Sequence, residues 1–76
     1  MNAQRRKQIE ELRSKLDEVM GDVSDLRDEE QDYYDNMPEG LQVGEKGEQA
    51  QSAVEQMEGA ISSIEDALAS LEEAAQ

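Results

Sequence analysis

Carboxylates are the only reactive groups this chain holds in quantity, and in its first half they recur at regular intervals. Glu11, Glu18, Asp25 and Asp32 fall every seven residues, with Asp28 and Asp35 three residues after the last two. On a helix, the run from Glu18 to Asp35 presents a carboxylate every three to four residues, or ~5–6 Å along the axis. That spacing is comparable to the separation of successive phosphates along a nucleic-acid strand. A rigid rod with such a ridge could occupy the basic groove of a nucleic-acid-binding protein. The plainer explanation is that outward helix positions are charged to keep the rod in solution. One-sidedness favours a function: residues 17–76 hold 18 acids against only Arg27 and Lys46, a net charge of −16. The whole chain of 76 residues carries 20 acids against 7 basic residues, a net −13.

Other chemistry is sparse. Arg5, Arg6, Lys7 and Arg13 cluster near the start. In a symmetric oligomer they could converge on an anion such as a nucleotide, since basic residues at a helix N-terminus oppose its dipole and are slightly costly there. The simpler account is neutralisation by Glu72 and Glu73 at the other end of the chain. The window Asp28–Glu39 has acids at the first, third, fifth and twelfth places of a calcium loop, but Tyr33 stands where glycine must make the sharp turn, so no metal site is expected. Gly44-Glu45-Lys46-Gly47 lacks the spacing and the Ser/Thr of a phosphate-binding loop. The sequence has no His and no Cys. It thus lacks the commonest general base, a thiol nucleophile and the usual zinc ligands. No enzyme signature and no cofactor site emerge.

The elements that must position these residues are two helices. Apolar residues in the first half fall at Ile9, Leu12, Leu16, Val19, Val23, Leu26, Tyr33 and Met37, in steps of three and four interrupted only at Glu30. Ala50, Val54, Met57, Ile61, Ile64, Leu68, Leu71 and Ala75 repeat the pattern. Pro38, Gly40, Gly44 and Gly47 lie between. The expectation is a single domain, residues 1–76: helix 3–36, loop 37–46, helix 47–75, folded as an antiparallel hairpin with heptad seams. With Ile9 and Val54 as position a of heptads lettered a to g, the e row of the first helix is Arg13, Met20, Arg27 and Tyr34. That of the second is Gln51, Glu58, Glu65 and Glu72. Antiparallel pairing sets Arg27 opposite Glu58 and Arg13 opposite Glu72, each exposed pair contributing only ~0.2–1 kcal/mol but together favouring this register. Glu30 is expected to mark a polar layer in the seam. Ala53, Ala60, Ala67 and Ala74 recur every seven residues beside the second seam. They suggest a second packing surface, although Ala is also simply a good helix former. Small chains commonly need partners to be stable, so an all-α homo-oligomer, a four-helix or larger bundle, is expected.

At the turn end, Tyr33 continues the seam and is expected in the core, with Tyr34 at its edge. Leu41 and Val43 are expected to fold back over the open end. Were the tip exposed instead, Tyr34 and Met37 would be its anchor residues. The segment Asp32-Tyr33-Tyr34-Asp35-Asn36-Met37-Pro38-Glu39-Gly40-Leu41-Gln42, followed by Glu45-Lys46-Gly47-Glu48 and an Ala/Glu/Leu heptad helix, resembles a group of small acidic helical-hairpin proteins encoded by bacteriophages and prophages. The similarity runs from about Asp28 to the C-terminus, and only the tip is specific. It implies no catalytic residue, but does imply a protein that acts by binding host or defence components.

Three functions compete. The chain could bind and inhibit or redirect a host or defence protein with a basic surface through Glu18, Asp25, Asp28, Asp32, Tyr34, Asp35 and Met37. It could be a sponge that captures an anionic nucleotide signal at oligomer interfaces near Arg5, Arg6, Lys7 and Arg13. It could be a purely structural or regulatory helical oligomer. A strongly negative segment repels free nucleotides and nucleic acid, which favours the first over the second and argues against direct nucleic-acid binding. No apolar run approaches the ~18–20 residues of a membrane span. A cytoplasmic location in a bacterial host is expected.

Overall fold

The computed structural model describes every residue from Met1 to Gln76. It is all-helical: α1 spans Ala3–Asp35, α2 Glu39–Gln42 and α3 Glu45–Ala74. Asn2 caps α1, its side-chain oxygen accepting the Arg5 backbone N–H at 2.8 Å. At the other end Asn36 donates through its side-chain amide to the Asp32 carbonyl at 2.8 Å. Pro38 follows two residues later, where it disfavours helical geometry at Met37 and stops α1. Gly44 starts α3 without a side-chain cap, but Glu45 and Glu48 in the first turn suit the helix dipole.

The two long helices pack antiparallel into a rod of 58 × 15 × 11 Å. Their register is the one expected from charge. Arg27 reaches Glu58 at 2.8 Å and Arg13 reaches Glu72 at 3.8 Å. Two heptads separate the members of each kind on each helix, so both pairs lie on one alignment.

Three expectations are corrected. The segment 37–46 is not all loop, because it contains the single turn of α2, and α3 begins at Glu45. Leu41 and Val43 do not cover the open end. They are 49% and 81% exposed, since the α2 turn directs Gln42 inward and its neighbours outward. Tyr33 is not in the core: it is 52% exposed, while Tyr34 is half-buried.

The two tyrosines exchange places because α1 is rotated. Its a and e rows are half-buried against α3, whereas Leu12, Val19, Leu26 and Tyr33 of the d row are exposed. A single neighbouring helix covers about two adjacent rows. The e row offers Met20, Tyr34 and the stems of Arg13 and Arg27, which lie along apolar surface while their heads reach acids on α3. Burial is correspondingly slight. Ala50 and Val54, near the turn, are the only buried apolar residues.

Gln42 and Gly47 lock the turn. The Gln42 side-chain amide donates to the Tyr34 carbonyl at 3.0 Å, a second bond to an oxygen that already accepts the Met37 backbone N–H at 3.1 Å. Gly47 is buried against the Gln42 backbone, and a Cβ there would stand only 2.6 Å from the Gln42 Cα. The close approach of α2 to α3 depends on that missing methyl group.

Candidate functional site

The acidic ridge is a product of the a/e packing. With those rows turned to α3, rows c and f point away from it, and Glu18, Asp25, Asp28, Asp32 and Asp35 are all exposed. From Glu18 to Asp35 the ridge runs ~25 Å along the α1 axis. Little of its charge is consumed internally. Asp28 meets Arg27 at 3.1 Å, but that guanidinium is shared with Glu58 on α3. Asp35 accepts a hydrogen bond from the Gln31 side-chain amide at 2.9 Å, which leaves its charge intact. Glu18, Asp25 and Asp32 have no ion-pair partner. The segment Asp28–Asp35 is continuous helix, so its carboxylates are splayed along a rod rather than wrapped around a point. No group of three or more acidic side chains is placed to hold a metal ion.

Arg27 is the electrostatic hinge between ridge and hairpin. Its pKa is raised above the ordinary arginine value, first by the hydrogen bond to Glu58 and then by that to Asp28. The guanidinium cancels part of the negative field at the middle of the ridge and leaves the field strongest toward the tip.

Tyr34 and Met37 are half-buried at the end of the hairpin, so the apolar surface the tip presents is made instead by Tyr33, Leu41 and Val43. The residues at this end that sequence reasoning overlooks are Gln42 and Gly47. A glycine at the start of a heptad helix, where Ala would propagate better, was the available signal for Gly47.

The basic residues are not gathered. Arg5, Arg6 and Lys7 are consecutive and exposed, and successive residues on a helix point about 100° apart. Arg13 is engaged with Glu10 at 2.9 Å and with Glu72. The groove beside it is open and shallow, lined by Glu10, Ser14, Asp17 and Leu68, and its two acids disfavour an anion. Glu30 is half-buried on the inner face and makes no ion pair. No helix is long and apolar enough to cross a membrane. Compared with known protein families, with curated proteins and with solved structures, the chain matches none.

Proposed function

We propose that this protein is a binding protein, not a catalyst, and that its acidic ridge engages a basic surface on a host or defence protein of a phage-infected bacterium. The observation that carries the reading is the exposed line of Glu18, Asp25, Asp28, Asp32 and Asp35 on the side of α1 away from α3. Five carboxylates on a rigid helix form a preorganised anionic edge, and the remaining surplus charge of the chain adds a long-range field that attracts cationic surfaces. A nucleic-acid-binding groove is the basic surface that such an edge matches best, because it is already shaped for a line of negative charge. In this reading the hairpin works as a homo-oligomer, whose bundled seams hold α1 straight enough to present the ridge.

The test is a variant with Glu18→Gln, Asp25→Asn, Asp28→Asn, Asp32→Asn and Asp35→Asn. Its helicity should match wild type, because none of these side chains meets α3. Proteins retained from bacterial lysate by immobilised wild type at low salt should be lost from the variant, and calorimetric titration of a purified retained protein should show the same loss. Equal retention by both proteins would refute the reading.

A further inference from the structure

The rotation that buries the a and e rows of α1 leaves one long face of the hairpin uncovered. Leu12, Val19, Leu26 and Tyr33 stand on it, between 48% and 56% exposed. The two e rows meet along one flank of the hairpin, through Arg27–Glu58 and Arg13–Glu72. In an antiparallel pair the opposite flank must then join the d side of α1 to the g side of α3. The g row of α3 is the alanine row, Ala53, Ala60, Ala67 and Ala74. An exposed apolar row and a row of small residues thus border the same groove.

Charge says what covers it. All eight acids of α3 lie on its b, e and f rows. Rows c, g, d and a form a contiguous arc, and from Gln49 onward that arc carries no charge: row c reads Gln49, Gln56, Ser63 and Ser70. A cationic partner would be met by acids. The partner that requires their removal is another strongly negative chain, and the nearest such chain is a second copy. The area agrees. The hairpin exposes 5559 Å² for a mass of 8.5 kDa. A globular monomer of that mass exposes about 4,650 Å². The excess, about 900 Å², is close to the ~800 Å² that each partner buries in a standard stable interface.

We propose that this face docks on the same face of a second copy, α3 against α3 about a two-fold axis perpendicular to the helices, to form an antiparallel four-helix bundle. The proposal deepens the oligomer in the functional reading and rests on it. Alanines let the two α3 helices approach to about 8 Å, the close end of helix packing. Leu12, Val19 and Leu26 of each copy then close over the partner's α3. The perpendicular axis follows from charge along the rod. Residues 1–16 carry a net +3 and residues 61–76 beside them a net −4, so the open end is almost neutral, while residues 28–48, around the turn, carry a net −7. Antiparallel docking sets the almost neutral open end of one copy beside the acidic tip of the other, whereas parallel docking would stack the two acidic tips on each other. Both ridges stay on the outside of the bundle.

The chain has no cysteine, so single replacements report the contact cleanly. Ala60 lies at the middle of α3, beside the axis. Ala60→Cys should form a disulfide-linked dimer on mild oxidation, since a disulfide needs Cα atoms within about 7 Å. Ala53→Cys alone should not do so, but an equimolar mixture of Ala53→Cys and Ala67→Cys should cross-link to each other. Ser62→Cys, on the outer b row, should stay unlinked, and all variants should keep wild-type helicity. Sedimentation of the wild type should give twice the chain mass at micromolar concentration. A wild-type monomer at that concentration would overturn both this proposal and the oligomer beneath it. A dimer in which Ser62→Cys links as readily as Ala60→Cys would overturn this face alone. Self-linking of Ala53→Cys as efficient as that of Ala60→Cys would overturn the antiparallel arrangement.

Discussion

Replacing Gly47 with alanine should destabilise the protein, although alanine is the better helix former. Within α3 the exchange favours the helix by about 1 kcal/mol. Against that, the new Cβ would lie 2.6 Å from the Gln42 Cα and closer still to its carbonyl group, where ordinary contact begins at 3.4 Å. The obstructing atoms are backbone, so no side-chain rotation relieves them, and the α2 turn must move outward by more than an ångström. Overpacking of this kind costs typically about 1–3 kcal/mol. The same movement strains the hydrogen bond from Gln42 to the Tyr34 carbonyl, which contributes on the order of 1 kcal/mol. The net expectation is a loss of about 1–3 kcal/mol after the propensity gain. Gly21 and Gly59 are internal controls, as both are exposed in helices and a Cβ at either meets nothing within 4 Å. Gly21→Ala and Gly59→Ala should each stabilise by about 0.5–1 kcal/mol. Urea titrations followed by far-UV circular dichroism at one fixed protein concentration measure all three. Gly47→Ala as stable as Gly21→Ala would refute the tight α2–α3 contact.

Further outcomes follow from the same packing. Glu30→Leu should raise stability by about 1–2 kcal/mol, because a leucine at this half-buried seam position adds apolar contact with α3; a lower urea midpoint would reveal a required partner for the Glu30 carboxylate. Arg27→Glu should lower the melting temperature by setting like charges together beside Glu58, and the double exchange Arg27→Glu with Glu58→Arg should restore most of it, which thermal melts of the single and double variants compare. Added sodium chloride should raise the melting temperature of the wild type, since screening relieves the self-repulsion of a chain with net charge −13 while the few exposed ion pairs lose little. A melting temperature that falls with salt would show the ion pairs to outweigh the repulsion.

Helix identity and register were legible because they depend on spacing alone. Arg13 and Arg27 on one e row face Glu72 and Glu58 on the other in only one antiparallel alignment. The exposure of the ridge was legible for a similar reason, as rows c and f lie far from any seam containing a. The rotation of α1 was not. Rows d, a and e are adjacent, and a heptad pattern does not say which two of the three a single partner covers. Leu12, Leu26 and Tyr33 look like core on periodicity alone, but the reach of Arg27 to Glu58 and the bulk of Met20 and Tyr34 draw the e row inward instead. The tip was hidden for another reason. Whether Gln42 or its neighbours Leu41 and Val43 point inward depends on a single turn of helix, too short to show a period. There a polar residue turns inward to donate to the Tyr34 carbonyl.

The central claim is that the ridge substitutes for a line of phosphates, and displacement from nucleic acid tests it most directly. Bacterial proteins bound to immobilised duplex DNA at low salt are challenged with wild-type protein and with the variant neutralised at Glu18, Asp25, Asp28, Asp32 and Asp35. Wild type should release one or a few discrete proteins, and the neutralised variant should release none at the same concentration. The difference should shrink as salt is raised, because screening suppresses the charge term first. Release of the same proteins by the neutralised variant at low salt, or release of none by wild type, would contradict the account.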